Sequence, residues 1–210
     1  MTLRLCLALA AALFCGSQAL AQNKVRTETI RPPAAANPVS KPSAHATPPG
    51  QQDAADAPEI ITDLSRLPAA VARTRERILA AAQSGDLQKL LTVMQMNETM
   101  PIFSFSDDKD PVAFWKTNYP DSDGVEVLSI LVTLLQTGFV HVDKGTPQEM
   151  YLWPYFARMP VKNLTPEQKV ELFRIITGND YKDMLDFGAY IFYRLGIGPD
   201  GTWHFFVAGN

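Results

Sequence analysis

All but one of the aromatic residues of this chain lie from Phe103 onward, and this restricts where a hydrophobic core can form. Of the 20 aromatic residues, only Phe14 precedes Phe103. Seven of the 16 prolines, in contrast, lie between Arg31 and Pro58. Aromatic side chains provide much of the apolar area that a core buries, whereas proline removes a backbone donor and resists regular structure. The distribution therefore predicts three segments: a leader over residues 1–21, a linker over 22–58 and one globular domain over 59–210.

The leader has the three regions of a secretory signal peptide. Arg4 supplies the early positive charge, residues 5–15 form an apolar run, and Ala19 and Ala21 are the small residues before a cleavage site. The run is too short for a bilayer-spanning helix, which needs about 20 apolar residues. We therefore predict a periplasmic or secreted protein that is cleaved after Ala21, with lipid attachment at Cys15 as the alternative.

Cysteine content and charge exclude several classes of site. Both cysteines, Cys6 and Cys15, lie in the leader, so its removal leaves no disulfide, thiolate nucleophile or cysteine-ligated metal. A formal net charge of −3 excludes a basic protein that binds nucleic acid through many phosphates. No segment of the mature chain is predicted to span a membrane.

The linker, residues 22–58, is rich in proline, alanine, serine, threonine and glutamine and has no aromatic residue. Such a composition cannot bury enough apolar surface to fold, and it predicts a disordered segment with polyproline II character. The linker is a passive disordered segment, a spacer that lets the domain reach across the periplasm, or a ligand for a partner.

Helix signals dominate the first part of the domain. Pro68 begins a helix that places Arg73, Arg75 and Arg77 mostly on its solvated side. A second helix follows over residues 87–96, so that the domain opens with an N-terminal helix pair.

A central buried helix is predicted for the most hydrophobic stretch, residues 125–135. Its polar residues, Glu126, Ser129 and Thr133, fall on one narrow helical stripe. Nearly every other side of this helix is therefore expected to contact the core.

Short strands are predicted over residues 102–106, 139–143 and 150–153. The chain closes with a hairpin of residues 190–195 and 202–208 that turns at the sequence Pro-Asp-Gly. This order of elements predicts an α+β fold with a small, mainly antiparallel sheet that ends in a C-terminal hairpin, rather than a βαβ series.

Aromatic residues on the predicted strands suggest a ligand-binding cleft. If Leu195 pairs with His204, both hairpin faces are apolar, so one covers the core and the other lines a cleft or meets more helices. Arg194 is a guanidinium among aromatic rings, where it either holds an anionic ligand or stacks on the rings. The predicted ligand-binding residues are Tyr151, Trp153, Tyr190, Arg194, Trp203 and His204.

Two functions are consistent with this pattern. The first is a non-catalytic exported domain that binds a protein partner or a small ligand through the cleft, with no cofactor, metal or catalytic residue assigned. The alternative is a hydrolase-like enzyme of the cell envelope that uses His141 or His204 with nearby carboxylates. His141 and Asp143 lie two residues apart on a predicted strand, hence on one face, where they form either a solvent-facing polar stripe or a pair in which the carboxylate orients the imidazole.

Two apparent motifs do not indicate sites. Residues 196–201 match a dinucleotide-binding glycine pattern, but a strand follows them instead of the helix that would hold the pyrophosphate. The aspartates over residues 107–123 form an acidic cluster. Aligning Gly124 with the invariant glycine of a calcium-binding loop, however, puts Tyr119 and Ile130 at the first and last ligand positions.

Two sets of segments resemble known proteins. Residues 151–157 (YLWPYFA) and residues 198–210 (GPDGTWHFFVAGN) look like segments of exported proteobacterial proteins of unknown activity. The opening helix pair with its Ser-Gly-Asp turn and the closing Asp-Gly-x-Trp strand are similar to NTF2-like cone domains. This chain departs from that pattern by a long helical insertion between its first and last strands. The resemblances imply an exported domain and a cone-like fold, but no activity.

Overall fold

Four α-helices, two strands, two further α-helices and two further strands follow one another along residues 58–209, which are the residues that the computed structural model describes. The predicted signal peptide and nearly all of the predicted linker lie outside this range. The helices are α1 (Ala69–Gln83), α2 (Leu87–Met94), α3 (Pro111–Asn118), α4 (Glu126–Leu135), α5 (Pro166–Leu172) and α6 (Gly178–Phe187). The strands are β1 (Val140–Val142), β2 (Met150–Trp153), β3 (Arg194–Ile197) and β4 (Trp203–Val207). The predicted α+β class and the C-terminal hairpin are therefore confirmed.

Side-chain caps begin several of the helices. Asp86 accepts a hydrogen bond from the amide of Gln88 at 2.8 Å and so caps α2. Thr165 and Gln168 form a reciprocal capping box at the start of α5. α6 begins at Gly178, and Thr177 and Asp180 form a second capping box at its start. No helix within residues 58–209 combines the length and the apolar character needed to cross a membrane.

α4 is the buried helix at the centre of the domain, and α1 packs against it. Its residues Leu131 and Leu134 are fully buried, whereas Ser129 of the predicted polar stripe is exposed. Arg75 of α1 is also buried, which corrects the prediction that it lies on the solvated side. Its guanidinium donates a hydrogen bond to the carbonyl oxygen of Leu135, at the end of α4. Such a donor satisfies a carbonyl that has no partner inside its own helix.

The four strands form one antiparallel sheet in the order β1-β2-β3-β4. Ile61 pairs with Phe139 beside β1, and Ile102 pairs with Phe205 beside β4. The predicted strand over residues 102–106 is therefore reduced to a single bridge, because local side-chain hydrogen bonds turn the rest of that segment.

The register of the hairpin differs from the predicted one. Leu195 pairs with Phe206 rather than with His204, and a β-bulge then brings Trp203 opposite Ile197. Trp203 is thereby buried, while His204 is exposed. Both hairpin faces are apolar, so the alternation of residue types did not distinguish these registers.

Alternation along the strands gives the sheet two faces. The inner face consists of fully buried side chains: Trp153, Leu195, Ile197 and Phe206. Trp115 of α3 packs on it, with ring centres 6.2 Å apart between Trp115 and Phe206. The outer face consists of the alternate positions: Met150, Leu152, Arg194, Gly196 and Phe205.

Candidate functional site

The outer face lines an open cleft, which we term the outer cleft, with a volume of about 380 Å³. Met150, Leu152 and Phe205 supply the apolar part of its lining. A 3-10 helix, Tyr155–Arg158, follows β2 and adds Ala157 to the wall. Small-molecule sites typically measure about 300–1,000 Å³, so the outer cleft has the size of a small-ligand site.

Gly196 lies at the centre of the outer face, and two side chains that line the cleft fold over it. It pairs with Leu152 on one side and with Phe205 on the other, so these three residues form one row across the sheet. A Cβ atom at Gly196 would lie 2.6 Å from Cζ of Phe205 and would also collide with the sulfur of Met150. The space above this glycine is therefore occupied by the ends of two flexible side chains that also line the cleft.

The charged part of the cleft lining comes from Asp143, Arg158 and Arg194, so positive charge exceeds negative charge by one. Arg158 donates to the carboxylate of Asp143 at 3.4 Å, and both side chains are largely solvated. Arg194 is half-buried. Burial lowers the pKa of Arg194, the electrostatic interaction with Tyr190 opposes this, and the positive charge of Arg158 lowers the pKa further. Arginine nevertheless stays protonated in proteins, so the cleft holds two guanidinium cations.

Most of the residues predicted to bind a ligand are buried beside the cleft rather than lining it. Trp153 is fully buried, with its ring centre 4.9 Å from that of Phe139. Tyr190 is also buried, and its hydroxyl donates to the carbonyl oxygen of Tyr193 at 2.8 Å. Trp203 is buried at the hairpin bulge. Only Arg194 of the predicted set contributes to the lining of the outer cleft.

His141 is held by a carboxylate, but not by the predicted one. Its Nε2 atom lies 2.7 Å from Oε1 of Glu149, and its ring stacks on Tyr151 with centres 4.2 Å apart. Asp143 follows the end of β1 and has a left-handed backbone with φ of 53°, so strand alternation does not apply to it. Its carboxylate binds Arg158 instead. The alternative in which Asp143 orients the imidazole of His141 is therefore wrong.

Glu149 also orders the loop between β1 and β2, because its second oxygen accepts the amide of Gly145 at 2.9 Å. The hydrogen bond from Gly145 is the main cause that lowers the pKa of Glu149, and the hydrogen bond to His141 adds to it. Tyr151 is buried below His141. These contacts fasten the two strands at the end where the loop joins them, and none of these three side chains lines the cleft.

His204 is exposed at the hairpin turn and also does not line the outer cleft. Its ring lies over Gly198, because a Cβ atom there would be 2.8 Å from Nε2 of His204. The nearby carboxylate of Asp200 accepts the amide and the hydroxyl of Thr202 at 2.9 and 2.8 Å. These hydrogen bonds are the main causes that lower the pKa of Asp200. The carboxylate thus stabilises the turn.

The acidic cluster has structural partners. Asp110 accepts the amides of Val112 and Ala113 and caps α3. Asp123 receives the ammonium group of Lys116 at 2.7 Å. Among residues 58–209 no three His, Cys, Asp or Glu side chains come together as metal ligands.

The prediction from sequence did not include Met150, Leu152, Ala157 or Arg158 as site residues. One signal for two of them was present: Met150 and Leu152 alternate with Tyr151 and Trp153 along β2. The aromatic residues Tyr151 and Trp153 are the buried positions of that alternation that do not line the outer cleft. Comparisons with protein-family models, with curated proteins and with solved structures found no match to this chain.

Proposed function

We propose that this chain is an exported protein whose domain binds a small ligand in the outer cleft without catalysing a reaction. The observation that carries the proposal is a cleft of about 380 Å³ that combines an apolar wall with a half-buried guanidinium, that of Arg194. An apolar cavity with a few placed polar groups is the usual form of a small-ligand site.

The position of the histidines supports binding rather than catalysis. General acid–base chemistry needs a titrating group within hydrogen-bond reach of the substrate. His141 and His204 both lie outside the lining of the outer cleft. The charged groups of the lining are the guanidiniums of Arg158 and Arg194 and the carboxylate of Asp143, which forms an ion pair with Arg158. The cleft is thus equipped to hold a ligand rather than to move a proton.

A ligand screen with a cleft-filling variant tests the binding proposal. The full chain is screened by thermal shift against a chemically diverse set of small molecules, and each hit is measured by calorimetry on Ala157→Phe. The new ring would occupy the cleft, so we expect affinity to fall by about tenfold or more. Ala113→Phe adds the same ring at an exposed position of α3 and serves as the control.

Equal binding by the wild type and by Ala157→Phe would refute the outer cleft as the site. If the screen yields nothing and a protein partner is instead recovered whose binding Ala157→Phe leaves unchanged, the proposal of a small-ligand domain also fails.

Export is tested separately, through the leader. The full chain expressed in a Gram-negative bacterium is expected in the periplasmic fraction, with Gln22 as its N-terminal residue. Leu9→Arg interrupts the apolar run and should retain the uncleaved chain in the cytoplasm, whereas Lys24→Gln, beyond the cleavage site, should not. A mature protein that begins at a lipid-modified Cys15 would support the alternative of a lipid anchor.

A further inference from the structure

We propose that the ligand of the outer cleft carries an unbranched alkyl chain, which lies across the sheet over Val142, Leu152 and Phe205. This inference rests on the proposed function and names the chemical class of the ligand. The head group of the ligand, of whatever charge, stays at the open side of the cleft, where it keeps its contact with water.

The apolar part of the cleft lining is mostly aliphatic. Four of its residues have aliphatic or thioether side chains: Val142, Met150, Leu152 and Ala157. Within residues 58–209, Phe205 is the one aromatic residue of the lining, and the end of its ring lies over Gly196. An aromatic ligand gains affinity from contacts with the rings of its site, but rings such as those of Trp153 and Trp203 are buried away from the cleft. An alkyl chain therefore matches this lining better than a flat aromatic ring.

A sugar or another strongly polar ligand also fits this lining poorly. Gln148 supplies the one uncharged polar side chain of the lining in the described part of the domain. The hydroxyl groups of a sugar would meet the side chains of Met150, Leu152 and Ala157, which offer them no strong hydrogen-bond partner. A polar group that loses water without gaining a hydrogen bond weakens binding. The lining thus favours a ligand whose buried part is a hydrocarbon.

The arrangement of these apolar residues is elongated. Val142 lies on β1, Leu152 on β2 and Phe205 on β4, and all three line the cleft. Neighbouring strands are about 4.8 Å apart, so this lining extends over about 14 Å across the sheet. Met150 has a flexible thioether side chain that adapts to a chain of variable shape. An alkyl chain of medium length matches both the length and the adaptable surface of the cleft.

A series of uncharged alcohols tests the ligand class. Calorimetry with the full chain measures the affinities of 1-butanol, 1-hexanol and 1-octanol, whose shared hydroxyl group leaves chain length as the variable. A fully buried methylene group strengthens binding about fourfold, and one in an open cleft strengthens it less. We therefore expect 1-octanol to bind about tenfold or more tightly than 1-butanol. Glucose and 2-phenylethanol, which has as many carbon atoms as 1-octanol, are expected to bind more weakly than 1-octanol.

Matched variants assign the alkyl chain to the cleft. Met150→Gln keeps the length of the side chain but makes the lining polar, so the affinity for 1-octanol should fall by about threefold or more. Met96→Gln makes the same exchange at an exposed position outside the lining and should leave this affinity unchanged. Val142→Thr replaces one methyl group of the lining by a hydroxyl group and is a milder second test, which should also weaken binding. Its control is Val170→Thr, at an exposed position of α5.

The outcomes distinguish the ligand class from the function on which it rests. If affinity does not rise with chain length, or if 2-phenylethanol or glucose binds as tightly as 1-octanol, the alkyl chain is the wrong class. Equal 1-octanol affinities of Met150→Gln and Met96→Gln would place the chain outside the cleft and overturn the proposal. If no alcohol binds while a library hit is still lost in Ala157→Phe, the ligand class is wrong and the binding function stands. If neither the alcohols nor the library hits depend on Ala157→Phe, the proposed function itself is refuted.

Discussion

The inner and outer faces of this sheet come from the same strands, yet they bury their side chains to different extents. On β4, Phe206 is fully buried on the inner face, whereas the adjacent Phe205 on the outer face is only partly buried. The inner face meets aromatic residues of the helical layer, as at Trp115. The outer face has Gly196 at its centre, and Arg158 and Arg194 belong to the lining of the outer cleft.

This difference separates the residues that stabilise the fold from those available to a ligand. The aromatic rings of the inner face contact one another and do not line the outer cleft. Smaller or flexible side chains on the outer face, together with Gly196, leave a cavity. Aromatic content by itself therefore indicated the core of this domain, whereas the cleft is lined mostly by residues that are not aromatic.

The largest expected effect compares the two adjacent phenylalanines. Phe206→Ala removes a ring from the filled inner face and should lower the free energy of unfolding by about 3–5 kcal/mol. Phe205→Ala, on the open outer face, should lower it by about 1 kcal/mol, because much less contact is lost. Urea unfolding of both variants measures the difference. Equal losses would show that the outer face is packed as tightly as the inner one.

The next effect concerns the helical layer of the domain. Arg75→Gln withdraws the guanidinium that joins α1 to the last carbonyl of α4 and leaves a buried acceptor without that donor. We expect the free energy of unfolding to fall by about 1–3 kcal/mol. Arg77→Gln, two residues along the same helix but exposed, should change it by less than about 0.5 kcal/mol. A similar loss in both variants would contradict the structural role of Arg75.

A smaller effect on stability, with a larger one on binding, is expected from filling the outer face. Gly196→Ala places a methyl group against Phe205 and Met150, whose flexible ends must move toward the cleft. The free energy of unfolding should fall by about 1 kcal/mol, and the affinity for a ligand found in the small-molecule screen should drop with it. Gly178→Ala adds the same methyl group in open space at the start of α6 and should alter neither. If Gly196→Ala retains its ligand affinity, Gly196 does not help to shape the cleft.

The smallest effect is expected at the loop between β1 and β2, and it depends on pH. Hydrogen bonds from Gly145 and His141 hold the pKa of Glu149 below its ordinary 4.5, so the unfolded chain binds this proton more tightly than the folded domain. The stabilisation is therefore complete above the unfolded pKa and is lost as pH falls through the folded one. Urea unfolding between pH 3 and pH 7, a range of about four units around that pKa, should show that Glu149→Gln flattens the acid side of the stability curve.

The matched control for this pH effect is Glu98→Gln, which removes an exposed carboxylate from the segment after α2. Its acid profile should follow that of the wild type. If Glu149→Gln leaves the profile unchanged, the contacts of Glu149 with Gly145 and His141 do not contribute to stability in the acid range.

Local sequence signals predicted the elements well, because caps and turns act over a few residues. Asp86 and Thr165 begin helices through hydrogen bonds to amides two or three residues away. The strand over residues 150–153 was predicted with its observed bounds. Long-range contacts were predicted poorly, as the buried Arg75 and the carboxylate partner of His141 show.

The sequence by itself determined the division of the chain into aromatic-poor and aromatic-rich parts, the α+β class, and the closing hairpin. These properties depend on composition and on periods of two to four residues, which a sequence displays directly. Tertiary structure decided the hairpin register, the face that the helices cover, and hence the cleft. Both hairpin faces are apolar, so only packing against α3 and the bulge opposite Ile197 selected which one became the core.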